Sequence, residues 1–116
     1  MSNQVSYEIM SSQVEIKLTH GKSGDPDLEE KMIAIFQECF DLWCERHRKY
    51  GCLNISKFGE LGCLVRVSDK LERLVNLLFN NRGKDAQDEP VEDSWLDMVN
   101  YAAMALLCRR GHWPTS

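Results

Sequence analysis

DPDLEEKMIAIFQECFDLWCERHRKYG, residues 25–51, decides the fold class. Met32, Ile35, Phe36, Cys39, Phe40, Trp43 and His47 recur three and four apart, the spacing that lines up one face of an α-helix. Both ends carry helix punctuation. Asp25 suits an N-cap, Pro26 suits the first helical position, and Glu29 and Glu30 fall where the helix dipole favours acids. Arg46, His47, Arg48 and Lys49 occupy the last turn, where positive charge is favoured, and Gly51 supplies a C-terminal cap. The pattern predicts a helix from about Pro26 to Lys49, stopped by Tyr50-Gly51.

The same spacing recurs twice downstream. A second helix is predicted from about Gly59 or Glu60 to Asn80, with Leu64, Val67, Leu71, Leu74, Val75 and Leu78 as its core face. Arg66, Asp69, Arg73 and Asn76 lie opposite. The third is EDSWLDMVNYAAMALL, residues 92–107, opened by Pro90 and Asp93, running to about Cys108 and ended by Arg109, Arg110 and Gly111. It is expected to carry Trp95, Val99, Ala102, Ala103 and Leu106 on one side. Asp93, Asp97, Asn100 and Tyr101 fall largely on the other. Between the helices, KYGCLNISKFGELG (49–62) and NNRGKDAQDEP (80–90) read as a glycine-bearing loop and a polar linker.

Residues 1–26 have no helical stripe. VEIKL at 14–18 alternates apolar and polar residues as a short strand does, and HGKSGDP after it is turn chemistry. The expected fold class is therefore all-α: a small helical bundle of three main helices (27–116) with a short N-terminal extended arm (1–26). The third helix is apolar around so much of its circumference that neighbours are expected on several sides, and a homodimer or higher homo-oligomer would supply them.

Composition narrows the function classes. At 116 residues the chain has the size of one domain. A net charge of −4 argues against direct nucleic-acid binding, which requires a basic surface to neutralise phosphates. It leaves room for a small phosphorylated ligand, because Mg²⁺ can supply the missing positive charge. No apolar run approaches the ~20 residues that span a bilayer, and MSNQVSYEIMSSQ lacks the basic start and apolar core of a signal peptide. Cys39, Cys44, Cys52, Cys63 and Cys108 form no C-x-x-C pair, which suits a reducing compartment, and His20, His47 and His112 do not interleave with them at zinc-ligand spacing. A cytoplasmic, membrane-free location is expected.

The carboxylates are the main chemical clue. Asp93 and Asp97 stand four apart and therefore share a helix face, Asp97 embedded in WLDMVNYA. Glu60 lies in line with Leu64, Val67, Leu71 and Leu78, where an unpaired carboxylate would be costly. Acids of this kind can hold Mg²⁺ together with phosphate oxygens, and the metal can activate a water for attack on a diphosphate. The plainer reading is a solvated face, with Asp93 serving as a first-turn acid. Lys70, Arg66 and Arg73 are the phosphate candidates; alternatively Arg66 and Arg73 form surface ion pairs with Asp69. Tyr50 and Trp43 could stack on a base, although a Trp placed like Trp43 is more often a core residue. No Gly-rich phosphate loop, nucleophile elbow or Cys–His dyad is present.

KYG…N at 49–54, FGELG at 58–62, RVSDKLERLVNL at 66–77 and EDSWLDMVNYAAMAL at 92–106 resemble, in that order, the nucleotide modification associated domain family. That family occurs largely in bacteriophages and bacteria, and the resemblance covers about residues 28–107. The family is similar in turn to the all-α MazG-like and dimeric dUTPase-like nucleotide pyrophosphatases. Those are oligomeric helical bundles that hold Mg²⁺ on E-x-x-E and E-x-x-D motifs and release pyrophosphate from nucleoside triphosphates. The resemblance implies Glu60, Asp93 and Asp97 as metal ligands, with Glu60 and Asp97 catalytic. It implies Tyr50, Asn54, Arg66, Lys70, Arg73 and Tyr101 as ligand-binding residues. Here no E-x-x-E precedes Lys70, and the second acidic pair is spaced by four. The expected function is a Mg²⁺-dependent nucleotide pyrophosphohydrolase-like protein acting on a (deoxy)nucleoside triphosphate or modified nucleotide. The alternative is a non-catalytic nucleotide-binding protein that sequesters a nucleotide signal or assists phage DNA modification.

Overall fold

The computed structural model describes the backbone of residues 5–10, 13–18, 21, 23–80 and 88–115, and the side chains of 21, 23–80 and 91–115. Four helices and a hairpin make up the described chain. Strands β1 (Val5–Met10) and β2 (Gln13–Leu18) pair antiparallel, in register from Val5 opposite Leu18 to Met10 opposite Gln13. The alternation at 14–18 therefore does mark a strand, and its partner is the segment just before it.

Helix α1 spans Pro26–Tyr50, and its punctuation works as the sequence implies. The Asp25 side chain accepts a hydrogen bond from the Leu28 amide at 3.1 Å, capping the first turn. Gly51 takes a left-handed φ of +72° while its amide donates to the His47 carbonyl at 2.8 Å. A one-turn helix, α2 (Leu53–Ser56), interrupts the expected loop. Helix α3 (Gly59–Leu74) continues into a π-helical stretch, Val75–Phe79, so the second predicted helix ends where expected. Helix α4 covers Asp88–Arg109, starting before the predicted Pro90 and closing in a paired cap. There the His112 amide donates to Leu107 and the Gly111 amide to Cys108, with Gly111 at φ +73°. The linker at 81–87, with Gly83, lies outside the described residues, as do the side chains of Glu89 and Pro90.

The chain divides into two compact units, Met1–Glu45 and Arg46–Ser116. In the first, Cys39 is the buried apolar residue of α1, while Met32, Ile35 and Phe36 remain about half exposed. Phe40 and Trp43 stack with ring centroids 6.1 Å apart. In the second unit, α3 packs along α4 and α2 rests against α3. Its buried residues are Ile55, Cys63, Leu74, Ser94, Asp97 and Trp113.

That set corrects the expected orientation of both helices. Of the predicted α3 core face only Leu74 is buried; Leu64, Leu71, Val75 and Leu78 are exposed. On α4 the exposed side carries Trp95, Val99 and Leu106, whereas Ser94 and Asp97 point into the helix pair. The physical reason is visible in the contact face. Small groups (Cys63 on α3, Ser94 and Cys108 on α4) let the helices approach closely, and the charge of buried Asp97 is neutralised by cations from two other segments.

Candidate functional site

Three chain segments meet at Asp97. The last turn of α1 brings Arg46, the middle of α3 brings Lys70, and α4 brings the carboxylate. Arg46 Nη1 donates to Asp97 Oδ1, and Lys70 Nζ lies 3.0 Å from Oδ2. The carboxylate is buried, with a side-chain exposure of 5%, yet Arg46 and Lys70 remain 44% and 26% exposed. Burying a lone carboxylate costs several kcal/mol, so each oxygen requires a partner, and each has one. The triad carries a net charge of +1. Among the described residues each cation spends one donor on Asp97, whereas a guanidinium has five and an ammonium three. Asp97 thus acts as an anchor that holds two half-solvated cations side by side.

Arg46 is positioned by the structure around it. Its neighbour His47 packs edge-on against the Trp113 ring, centroids 5.6 Å apart. The Trp113 indole Nε1–H donates to the Cys52 carbonyl at 3.1 Å, tying the segment after α4 to the turn that follows α1. Neither Arg46 nor Trp113 was singled out by sequence. Arg46 reads as an ordinary helix-terminal cation, and Trp113 stands alone beyond a helix end.

The remaining expected site residues are spread along the second unit. Asp93 is exposed one turn before Asp97. Glu60 accepts from Arg109 Nε at 2.9 Å, a half-exposed pair of small energetic weight. Among the described residues no group of three or more His, Cys, Asp or Glu side chains is placed to hold a metal ion, so Glu60, Asp93 and Asp97 do not converge as such a cluster. Asn54 and Arg66, by contrast, are brought together. They line a cleft of about 300 Å³ with Lys57, Phe58 and Gly62. Lys57 Nζ sits 5.8 Å from the Phe58 ring centroid, and a Cβ at Gly62 would meet the Phe58 Cβ at 2.7 Å, so the glycine makes room for that aromatic.

Lys70 follows Arg66 by four residues and precedes Arg73 by three, so the three cations share a flank of α3. Over that span the helix rises about 10 Å, enough to connect the cleft with the Asp97 triad. Neither Arg66 nor Arg73 forms an ion pair with Asp69 among the described residues. Tyr50 is exposed with Lys49 Nζ 6.0 Å from its ring centroid, and Tyr101 is half-buried on α4.

Two buried thiols hold their protons more tightly than usual. Burial pushes Cys63 upward, helped by the adjacent Cys108, and burial with a lesser push from Glu38 does the same for Cys39. None of the five cysteines is joined in a disulfide. No helix among the described residues is long and apolar enough to cross a membrane. Comparison of the chain with family models, curated proteins and solved structures finds no match.

Proposed function

We propose that the chain binds a nucleotide or nucleotide-derived phosphorylated ligand along the cationic flank of α3. Lys70 and Arg46 would receive phosphate oxygens, and Arg66 with Asn54 the remainder of the ligand in the cleft. The observation that carries this reading is the Arg46–Asp97–Lys70 triad, a net positive group with its anion buried and its cations reaching solvent. Cations oriented by a buried carboxylate are pre-organised, so less side-chain entropy is lost when an anion arrives. Exposed Phe58 adds a face on which a base can stack. The resemblance of segments 49–62, 66–77 and 92–106 to a nucleotide-handling family supports a nucleotide over other phosphorylated ligands.

Binding without turnover is favoured over Mg²⁺-dependent hydrolysis. Hydrolysis on the expected pattern calls on Glu60, Asp93 and Asp97 as metal ligands, and Glu60 and Asp97 already hold Arg109, Arg46 and Lys70. Incubation with each deoxynucleoside triphosphate, in Mg²⁺ or in EDTA, separates the two readings when intact ligand and released pyrophosphate are both followed. Retention of intact ligand in EDTA supports the binding protein. Metal-dependent pyrophosphate release that disappears in Asp97→Asn replaces it with the hydrolase.

A further inference from the structure

Helices α3 and α4 run antiparallel, and two ion pairs fix their register. Glu60 meets Arg109 near one end and Lys70 meets Asp97 further along, so positions that rise on α3 face positions that fall on α4. Residues 81–87 connect the two helices at the Lys70–Asp97 end. The Glu60–Arg109 end is open. It is crossed by no disulfide, and its ion pair is half-exposed and of small energetic weight.

Two thiols meet at that open end. Cys63 lies one turn beyond Glu60 on α3, and Cys108 immediately precedes Arg109 on α4. The register brings them together, and a hydrogen bond joins the two thiols. Cys63 is 1% exposed, sealed within the helix pair, while Cys108 is partly exposed. Thiols already in hydrogen-bond contact require only a short approach to reach the ~2.05 Å sulfur–sulfur bond. Their unequal exposure divides the labour of an exchange reaction: Cys108 is open to an incoming disulfide, and Cys63 is placed to resolve it. Burial pushes the Cys63 thiol up, which suits it to resolving and not to first attack.

We propose that Cys63 and Cys108 form a reversible disulfide by exchange with a small anionic disulfide of the glutathione class, stapling the open end of the α3–α4 pair. The Cys108 thiolate attacks one sulfur of oxidised glutathione and breaks its disulfide. One glutathione leaves and is protonated; the other stays bonded to Cys108. The Cys63 sulfur, giving its proton to water, then attacks the Cys108 sulfur and expels the second glutathione. The two protein thiols lose two electrons in all, and one glutathione disulfide is reduced to two thiols. Arg109 and Arg110, both exposed, follow Cys108 directly and favour the approach of an anionic disulfide. The new bond closes the whole stretch from 63 to 108 into a loop, a strong constraint on the unfolded chain. Nothing in this exchange depends on the ligand proposed above.

Incubation of the folded full chain with excess oxidised glutathione, stopped by acid, tests the pair. Two of the five thiols should become inaccessible to alkylation in denaturant, and peptide mapping should join Cys63 to Cys108 with the loss of two hydrogens, about 2 Da. The urea midpoint at acid pH, where exchange is halted, should rise by about 1–2 M and fall back after treatment with a reducing thiol. Cys108→Ser should form no intramolecular disulfide, and Cys63→Ser should stop at glutathione bonded to Cys108. Five alkylatable thiols after oxidation, a lasting mixed disulfide on Cys108 of the wild type, a bond between other cysteines, or an unraised midpoint overturns the proposal.

Discussion

Replacing Asp97 by Asn removes one negative charge from between Arg46 and Lys70 while leaving the volume nearly unchanged. The amide keeps one acceptor oxygen and puts a donor where the second carboxylate oxygen faced a cation. Breaking a fully buried ion pair costs about 3–5 kcal/mol, because the stranded charge stays dry. Here the stranded charges are 44% and 26% exposed and can rehydrate, so the expected loss is nearer ~1.5–3 kcal/mol. With a urea m-value of about 2 kcal/mol/M, the unfolding midpoint should fall by roughly 1 M at unchanged slope. Urea titration at fixed protein concentration, followed by far- and near-ultraviolet circular dichroism, reads this directly. The double variant Asp97→Asn/Lys70→Met should lose about 1 kcal/mol less than the two single losses together, since the stranded ammonium is gone. A midpoint unchanged within ~0.25 M would refute the anchoring role. A rise would refute it more sharply, because a carboxylate awaiting a metal is relieved, not missed, when neutralised.

Three further outcomes follow from the geometry. Trp113→Ala should destabilise the chain by about 3 kcal/mol, the low end for a large aromatic, and Trp113→Phe by about 1 kcal/mol through the lost hydrogen bond to Cys52. Chemical denaturation of both variants checks the order. Gly51→Ala, forced to φ +72°, should cost about 1 kcal/mol, and an unshifted thermal midpoint would show that this turn does not hold the end of α1. Cys63 and Cys39 bind their protons more tightly folded than unfolded, so the folded state holds more protons once pH passes the unfolded thiol value. Stability from these thiols is therefore present in full below about pH 8.5 and lost as pH rises above it. Urea midpoints between about pH 7 and pH 10 should decline, and less steeply in Cys39→Ala/Cys63→Ala; identical slopes would contradict the assignment.

Helix ends were legible because they are local. Asp25 caps the first turn of α1, Gly51 ends it, and Gly111 ends α4, each through contacts within a few residues. Strand 14–18 is legible from its alternation, whereas the sequence of its partner at 5–10 carries no comparable pattern. The inward face of each helix was not legible. Apolar spacing assigns the inside to leucines and tryptophan, yet the α3–α4 contact is built on small residues and a carboxylate. What makes that arrangement tolerable is Arg46, 51 residues from Asp97, and no helical period connects the two. Lys70 is legible from its place in RVSDKLERLVNL, and Asp97 because it interrupts an apolar run. Their contact is a property of the fold.

The most direct test of the account is calorimetric titration of inorganic triphosphate and the four deoxynucleoside triphosphates in EDTA, with wild type and Lys70→Met. Wild type should bind measurably and the variant at least tenfold more weakly, a loss of about 1.4 kcal/mol, the size of one charge-assisted hydrogen bond. Equal affinities, or no heat from any of the five ligands, would contradict it.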